Sequence, residues 1–187
     1  MRVIAGEFRS RILKTLPGFD VRPTLDRLRE ALFNVLAPRI EGALFMDVYA
    51  GTGAVGIEAL SRGASRAIFV EQNHDAVKVI RENLHLLGVE QRAEVRRGRA
   101  ASILGQLQER ADIVFVDPPY RLESEYERTL TILGATPPSL VIVQHASRFP
   151  LAGSYGELKR FRILKQGENT LSFFEANWPP ISADERG

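Results

Sequence analysis

Short apolar runs alternate with longer amphipathic stretches from residue 43 onward. Ala43 to Tyr49, Arg66 to Glu71, Ala93 to Arg97, Asp112 to Asp117 and Leu140 to Gln144 read as strands. Between them lie a glycine-rich turn with a helix reaching about Arg62, then helices over Asp75 to Leu87 (closed by Gly88), Ala101 to Glu109 and Ser124 to Leu133. This alternation predicts an α/β fold with a parallel, doubly wound sheet. The end of the chain departs from it. Leu158 to Leu164 and Thr170 to Ala176, joined through Gln166-Gly167-Glu168-Asn169, predict an antiparallel hairpin. At the start, Val3-Ile4-Ala5 and Ile12-Leu13 flank Gly6 to Ser10 and predict a small hairpin closed by Pro17-Gly18. Thr24 is placed to cap a helix with Leu25, Leu28, Ala31, Leu32, Val35 and Leu36 on one face, stopped by Pro38. The expected division is an N-terminal extension over 1–20, a main domain over 21–178 and a flexible tail over 179–187.

Composition narrows the class. The 187 residues are 44% hydrophobic and include no cysteine, which excludes disulfides and thiolate metal sites. His74, His85 and His145 lack metal-ligand spacing, so no metal is expected. The longest stretch free of charged residues, Thr129 to Ser147, contains Gly134, Pro137, Pro138, Gln144 and His145 and is no membrane span. A cytoplasmic protein is expected. Net charge is only +2, but the basic residues are grouped. Arg2, Arg9, Arg11 and Lys14 fall in the N-terminal extension. Arg92, Arg96, Arg97 and Arg99 form a second group, and Lys159, Arg160, Arg162 and Lys165 a third. Clusters rich in arginine suit phosphate, so nucleic acid is a candidate partner.

Two segments carry chemistry. Met46-Asp47-Val48-Tyr49-Ala50-Gly51-Thr52-Gly53-Ala54-Val55-Gly56 runs from strand to turn to helix. Its glycines let backbone approach a ligand closely, and ligands in doubly wound sheets bind at the strands' carboxyl ends. Glu71, ending the second strand, can accept hydrogen bonds from ribose hydroxyls. The match to G-x-G-x-x-G keeps a nicotinamide cofactor open. Against it, the Asp47 carboxylate stands where a pyrophosphate would approach and better suits a cofactor with an amino group and a sulfonium. The second segment, Asp117-Pro118-Pro119-Tyr120, follows the most apolar strand. Two prolines stiffen the backbone and remove N–H donors, leaving carbonyls and a carboxylate as acceptors. An exocyclic amine supplies matching donors, and Tyr120 offers a ring for stacking.

These segments resemble motif I of class I methyltransferases and the motif IV of those that methylate amino groups. Arg22-Pro23-Thr24-Leu25-Asp26-Arg27-Leu28-Arg29-Glu30-Ala31-Leu32-Phe33-Asn34, Ala59-Leu60-Ser61-Arg62-Gly63-Ala64 and Met1-Arg2-Val3-Ile4-Ala5-Gly6 are similar to segments of the RsmD family, over residues 1 to about 177. The resemblance implies a Rossmann-like sheet of seven strands, S-adenosylmethionine as cofactor, and methylation of guanine N2 in 16S ribosomal RNA, free or in an assembling small subunit. A monomer is the simplest expectation for a chain of this size. It implies that Asp47, Gly51 and Gly53, with Tyr49 and Thr52 of the same turn, meet the methionine part and that Glu71 holds the ribose. It places Asp117, Pro118, Pro119 and Tyr120 at the target base, Arg22 and Thr24 near it, and RNA phosphates on Arg2, Arg9, Arg11 and Lys14. The chain departs from many class I enzymes at Gly98-Arg99-Ala100, which has no acid for the adenine amine. Adenine contact then falls to backbone at Arg99 and Ala100 or to Gln72 and Asn73. An amino-methyltransferase of another RNA or of DNA, an NAD-dependent oxidoreductase and an inactive RNA-binding module are the alternatives.

Overall fold

The computed structural model describes residues 1–17, 23–119 and 121–176, with backbone alone for 23–25. The apolar runs form one sheet. Its strands are β1 (Leu44–Val48), β2 (Arg66–Glu71), β3 (Ala93–Arg97), β4 (Ile113–Val116), β5 (Leu140–Ala146), β6 (Ser154–Tyr155), β7 (Leu158–Gln166) and β8 (Asn169–Ala176), in the order β3-β2-β1-β4-β5-β8-β7-β6. The first five are parallel, and β8, β7 and β6 join antiparallel. The helices are α1 (Pro23–Leu36), α2 (Ala54–Ser61), α3 (His74–Leu87), α4 (Ala100–Leu104) and α5 (Glu123–Ala135).

Both faces of the sheet are covered, which is why its central strands read as unbroken apolar runs. On one face Met46, Val48, Val114, Val116, Val141 and Val143 pack against Tyr126, Leu130 and Leu133 of α5. On the other, Phe45, Ile113, Phe115, Leu140 and Ile142 meet Leu28, Leu32, Phe33 and Leu36 of α1. Each such side chain contributes about 1.5–3 kcal/mol by leaving water. The chain moves outward from β1 to β3, then returns to place β4 on the other side of β1. That reversal opens a crevice at the strand tips.

Four details differ from the sequence expectations. Thr24, expected to cap α1, lies within it, because the helix already begins at Pro23. The seven expected strands are joined by an eighth, the two-residue β6, too short for alternation to register. Helix α4 ends at Leu104 rather than near Glu109, because Gly105 follows it, and glycine weakens a helix by about 1 kcal/mol. The N-terminal hairpin is reduced to one bridge, Arg2–Ile12, beside the bonds Val3 N–H to Arg11 O and Leu13 N–H to Met1 O. The groups that a longer ladder would use are taken by α2. Glu58, 1% exposed, accepts the N–H groups of Ile4 and Ala5. The Ser61 hydroxyl accepts from Phe8 N–H and donates to the Ala5 carbonyl. The segment Ala59 to Ala64 is thus partly the dock for the N-terminal arm. Val3, Phe8 and Leu13 of that arm are buried against Ile57, Leu60, Phe69, Ile80 and Leu84.

Candidate functional site

The turn after β1 is held from below. Tyr49, Gly51 and Gly53 take φ of 66, 56 and 85°, in the left-handed region. Asp47 lies 2% exposed beneath the turn, and its Oδ2 accepts the Gly56 N–H at 2.8 Å. A Cβ on Gly56 would overlap the Phe69 ring, so α2 can approach β2 this closely only with glycine there. Glu71 is a brace as well as a candidate ligand. Its Oε2 accepts the Gly51 N–H at 2.8 Å and its Oε1 accepts the Asn73 N–H at 2.7 Å. Each oxygen keeps a further lone pair for a ligand hydroxyl. Thr52 is buried, and its carbonyl accepts from Asn83 Nδ2 at 3.4 Å. The Tyr49 hydroxyl bonds Glu125 Oε2 at 3.0 Å and Thr129 Oγ1 at 2.8 Å. A carboxylate only accepts, so Tyr49 donates to Glu125 and Thr129 donates to Tyr49. Burial raises the Tyr49 hydroxyl pKa, and it stays protonated.

A cleft of about 260 Å³ opens over β1, β2 and the start of α4. Of the expected cofactor residues, Tyr49, Glu71, Gln72, Arg99 and Ala100 line it. Asp47, Gly51, Thr52 and Gly53 do not line it; Asp47 and Thr52 are buried in and under the turn. Asn73 is set apart by its other duty, since its side chain caps α3 through the N–H groups of Asp75 and Ala76. The opposite wall went unforeseen. Leu122, Ser124, Glu125 and Arg128 close the cleft from α5 and the loop before it. The one signal was Leu122, an apolar residue between Arg121 and Glu123 that is 40% exposed.

Asp117 stands at the tip of β4, next to this cleft. Its N–H donates to the Val48 carbonyl at 3.3 Å, so it is level with Tyr49 at the neighbouring strand end. Among the described residues no hydrogen bond reaches its carboxyl. Burial, with the Asp47 charge as the lesser cause, pushes the Asp117 carboxyl up to about 8. Asp47 is pushed up to about 7, by burial first, against the lowering effect of the Gly56 N–H. The expected acceptor cluster is narrower than the sequence suggested. The Pro119 carbonyl accepts the Leu122 N–H at 2.8 Å, closing the turn into α5. Among the described residues the Pro118 carbonyl accepts only a long bond of 3.4 Å from the Tyr126 hydroxyl. Asp117 and Pro118 remain as the acceptors. Tyr120 and Arg22 lie outside the described residues, as does the Thr24 side chain.

Asp47 disfavours a dinucleotide by a different route from the one expected. Its carboxyl occupies the Gly56 N–H at the start of α2, a donor that a pyrophosphate would need.

The basic groups differ in what they touch. Arg2, Arg9 and Arg11 are exposed and make no ion pair among the described residues, whereas Lys14 is bound to Glu82 at 2.9 Å. Arg92 serves the fold, donating to Glu7 and to the Leu60 and Ala64 carbonyls, and Arg96 pairs with Glu94. His74 and His85 are exposed beside Asp75 and Glu90, while His145 is buried against Ser172. No cluster of potential metal ligands occurs among the described residues, and none of the described helices is long and apolar enough to cross a membrane.

Similar proteins match this arrangement over most of the chain. The family model "Conserved hypothetical protein 95" matches residues 1–175. YlbH of Bacillus subtilis is 33% identical over 182 residues, 94% of this chain and 98% of that protein. Ribosomal RNA small subunit methyltransferase D of Escherichia coli is 41% identical over 133 residues, 71% of this chain and 66% of that enzyme. The solved structure of the yhhF protein of Escherichia coli superposes with a TM-score of 0.84 at 33% identity, covering 94% of this chain and 97% of that one. With the sheet order, the glycine turn over a strand-end Glu71 and the acceptor pair at the β4 tip, these likenesses show that the chain belongs to the conserved hypothetical protein 95 family, the RsmD family of class I methyltransferases.

Proposed function

We propose that this protein transfers a methyl group from S-adenosylmethionine to the exocyclic N2 amine of a guanine in 16S ribosomal RNA, in the cytoplasm and as a monomer. The observation that carries the reading is the hydrogen bond from Asp117 to Val48, which sets an acceptor carboxyl beside the strand tip that leads into the glycine turn. The Escherichia coli relative is named for the same class of substrate.

The residues suit the cofactor by their chemistry. Glu71 has a free lone pair on each oxygen for a ribose diol, and its two backbone bonds fix its rotamer. Leu122 offers an apolar wall for the adenine, and Gln72, Arg99 and Ala100 line the same cleft. When bound, S-adenosylmethionine supplies an electrophilic methyl group. The chain's own residues prepare the amine. Its lone pair is delocalised into the base ring, so it is a weak nucleophile. Asp117 and the Pro118 carbonyl accept its two hydrogens and turn the lone pair out of the ring plane. The nitrogen loses one proton as it gains carbon. Asp117, once ionised, can take that proton, and its carboxyl, raised to about 8, is basic enough to do so. Arg2, Arg9 and Arg11 hold RNA phosphates on the arm beside α2, with Arg22, Thr24 and Tyr120 at the base. An unpaired guanine in folded RNA costs least to extrude.

Tritiated methyl transfer to naked ribosomal RNA, assembled small subunits, transfer RNA and DNA, followed by nucleoside analysis, tests the reading. N2-methylguanosine in ribosomal RNA supports it. Label in DNA, or on another atom of the base, overturns it.

A further inference from the structure

We propose that the open edge of β7 is a second RNA-contact surface, with Arg162 and Lys165 on phosphates beside the target nucleotide and Phe161 under a neighbouring base. The inference rests on the proposed ribosomal RNA substrate. Strand β6 pairs with β7 only at Leu158 and Lys159, and the Arg160 N–H donates to the Gly153 carbonyl. From Phe161 to Gln166 no strand covers the outer side of β7 among the described residues. Proteins blunt such edges with charges and bulges, and β7 has both, its register shifting at Phe161. Blunting does not account for Phe161 and Ile163, which are apolar and 49% and 47% exposed. The Phe161 ring stands 6.3 Å from that of Phe173, and the Arg162 guanidinium lies 5.9 Å from the same ring. Phe173 and Leu164 belong to the α1 face, so Lys165 turns to the other. Two exposed cations thus flank the open edge, and neither makes an ion pair among the described residues.

The register places this edge beside the site. Val116 pairs with Val143, so the next residues, Asp117 and Gln144, are level on adjacent strands. Gln144 pairs with Leu171, and Leu171 with Leu164. Asp117 and Leu164 are therefore level across three strand spacings, roughly 14 Å, and Lys165 is one residue nearer the strand tips. On the other side of β4, the N-terminal arm packs on Phe69 of β2 and on α3. The arm's arginines and the β7 edge thus bracket the β4 tip, and one RNA strand crossing the tips meets cations on both sides of the target base. An aromatic ring among cations suits a single strand, whose bases stack while its phosphates pair. A peptide strand added to this edge would need an unbroken ladder, which the irregularity at Phe161 interrupts.

Kinetics and hydroxyl-radical footprinting on 16S ribosomal RNA, naked and in small subunits, test the proposal. Phe161→Ala and Phe161→Leu should raise KM for RNA about 5- to 100-fold. Phe161→Tyr, which keeps the ring, should restore it. Arg162→Ala with Lys165→Ala should raise KM and expose nucleotides on one side of the target. Arg9→Ala with Arg11→Ala should expose those on the other side. In all of them kcat at saturating RNA and affinity for S-adenosylmethionine should stay at the wild-type values. Unchanged KM in the Phe161→Leu and Arg162→Ala/Lys165→Ala proteins overturns the proposal. A raised KM with the RNA footprint intact also overturns it, and assigns the edge to a protein of the subunit. A wild-type enzyme that neither binds nor methylates ribosomal RNA removes the proposed function and this inference together. One that methylates it with the wild-type footprint kept in every β7 variant removes the inference alone.

Discussion

The buried side chain of Asn83 holds Lys14 by both backbone groups. Its Oδ1 accepts the Lys14 N–H at 2.8 Å, and its Nδ2 donates to the Lys14 carbonyl at 3.1 Å. The same Nδ2 reaches the Thr52 carbonyl. One amide on α3 therefore clamps the end of the N-terminal arm and the glycine turn. Asn83→Ala leaves the part-buried Lys14 N–H and carbonyl and the buried Thr52 carbonyl without this partner, at up to about 1–3 kcal/mol for each group that water cannot reach. The variant should lose roughly 2–4 kcal/mol in denaturant unfolding and bind S-adenosylmethionine more weakly by calorimetry. Unchanged cofactor affinity in a destabilised variant would show that the Thr52 contact does not support the turn.

Asp117 carries a pH signature. Its carboxyl is held at about 8, mainly by burial. It accepts hydrogens best when ionised, so kcat/KM should rise with pH through a midpoint near 8. A profile flat from pH 6 to 9 would contradict this. Asp117→Ala should lower kcat/KM by about 100-fold or more and leave cofactor affinity, measured by thermal shift, nearly intact.

The same shift acts on stability in the opposite sense. A carboxyl with a raised pKa binds its proton more tightly in the folded chain than in the unfolded one. Its contribution is fully present below the unfolded value near 4 and is lost as pH rises through about 8. Asp117→Asn removes this penalty, so the variant should gain in Tm over the wild type at pH 9 and gain little at pH 4. An equal difference at both ends would place the effect outside this titration.

Glu58 is the arm's main anchor, since it accepts the Ile4 and Ala5 N–H groups and pairs with Arg62 at 2.7 Å. Removing the anion also leaves Arg29, 7% exposed, with one fewer counter-charge. Glu58→Ala should cost about 3–5 kcal/mol and raise amide exchange across residues 3–13. Protection that persists there would mean that the apolar contacts of Val3, Phe8 and Leu13 hold the arm unaided.

The exposed arginines of the arm have an electrostatic test. Arg9→Ala with Arg11→Ala should weaken RNA binding and lower the slope of log affinity against log salt by about one for each phosphate no longer neutralised. Cofactor affinity should not move. A slope equal to that of the wild type would place the phosphates elsewhere.

β2 was legible because a strand buried on both faces needs apolar residues at every interior position, and it has the bounds expected from the sequence; β3, half-buried at the sheet edge, also has the expected bounds but is no such run. Asp47 and Glu71 stood out for the complementary reason: each is a carboxylate in such a run. The features that were not legible depend on distant parts of the chain. Asn83 is one polar residue in an amphipathic helix, and its importance comes from partners 69 and 31 positions away. The α5 wall of the cleft, Leu122 to Arg128, forms only once β4 lies beside β1. The loss of the Pro119 carbonyl to the Leu122 N–H arises from a turn that the prolines leave undetermined.

The arm's anchoring has a consequence for biogenesis. Its partners Glu58, Ser61 and Asn83 follow it by 53 to 69 positions. A nascent chain therefore displays its first arginines and the unburied Val3 and Phe8 until α2 and then α3 have left the exit tunnel. At about 5–20 residues per second that interval lasts seconds, and closure of the arm reports that the glycine turn has been made.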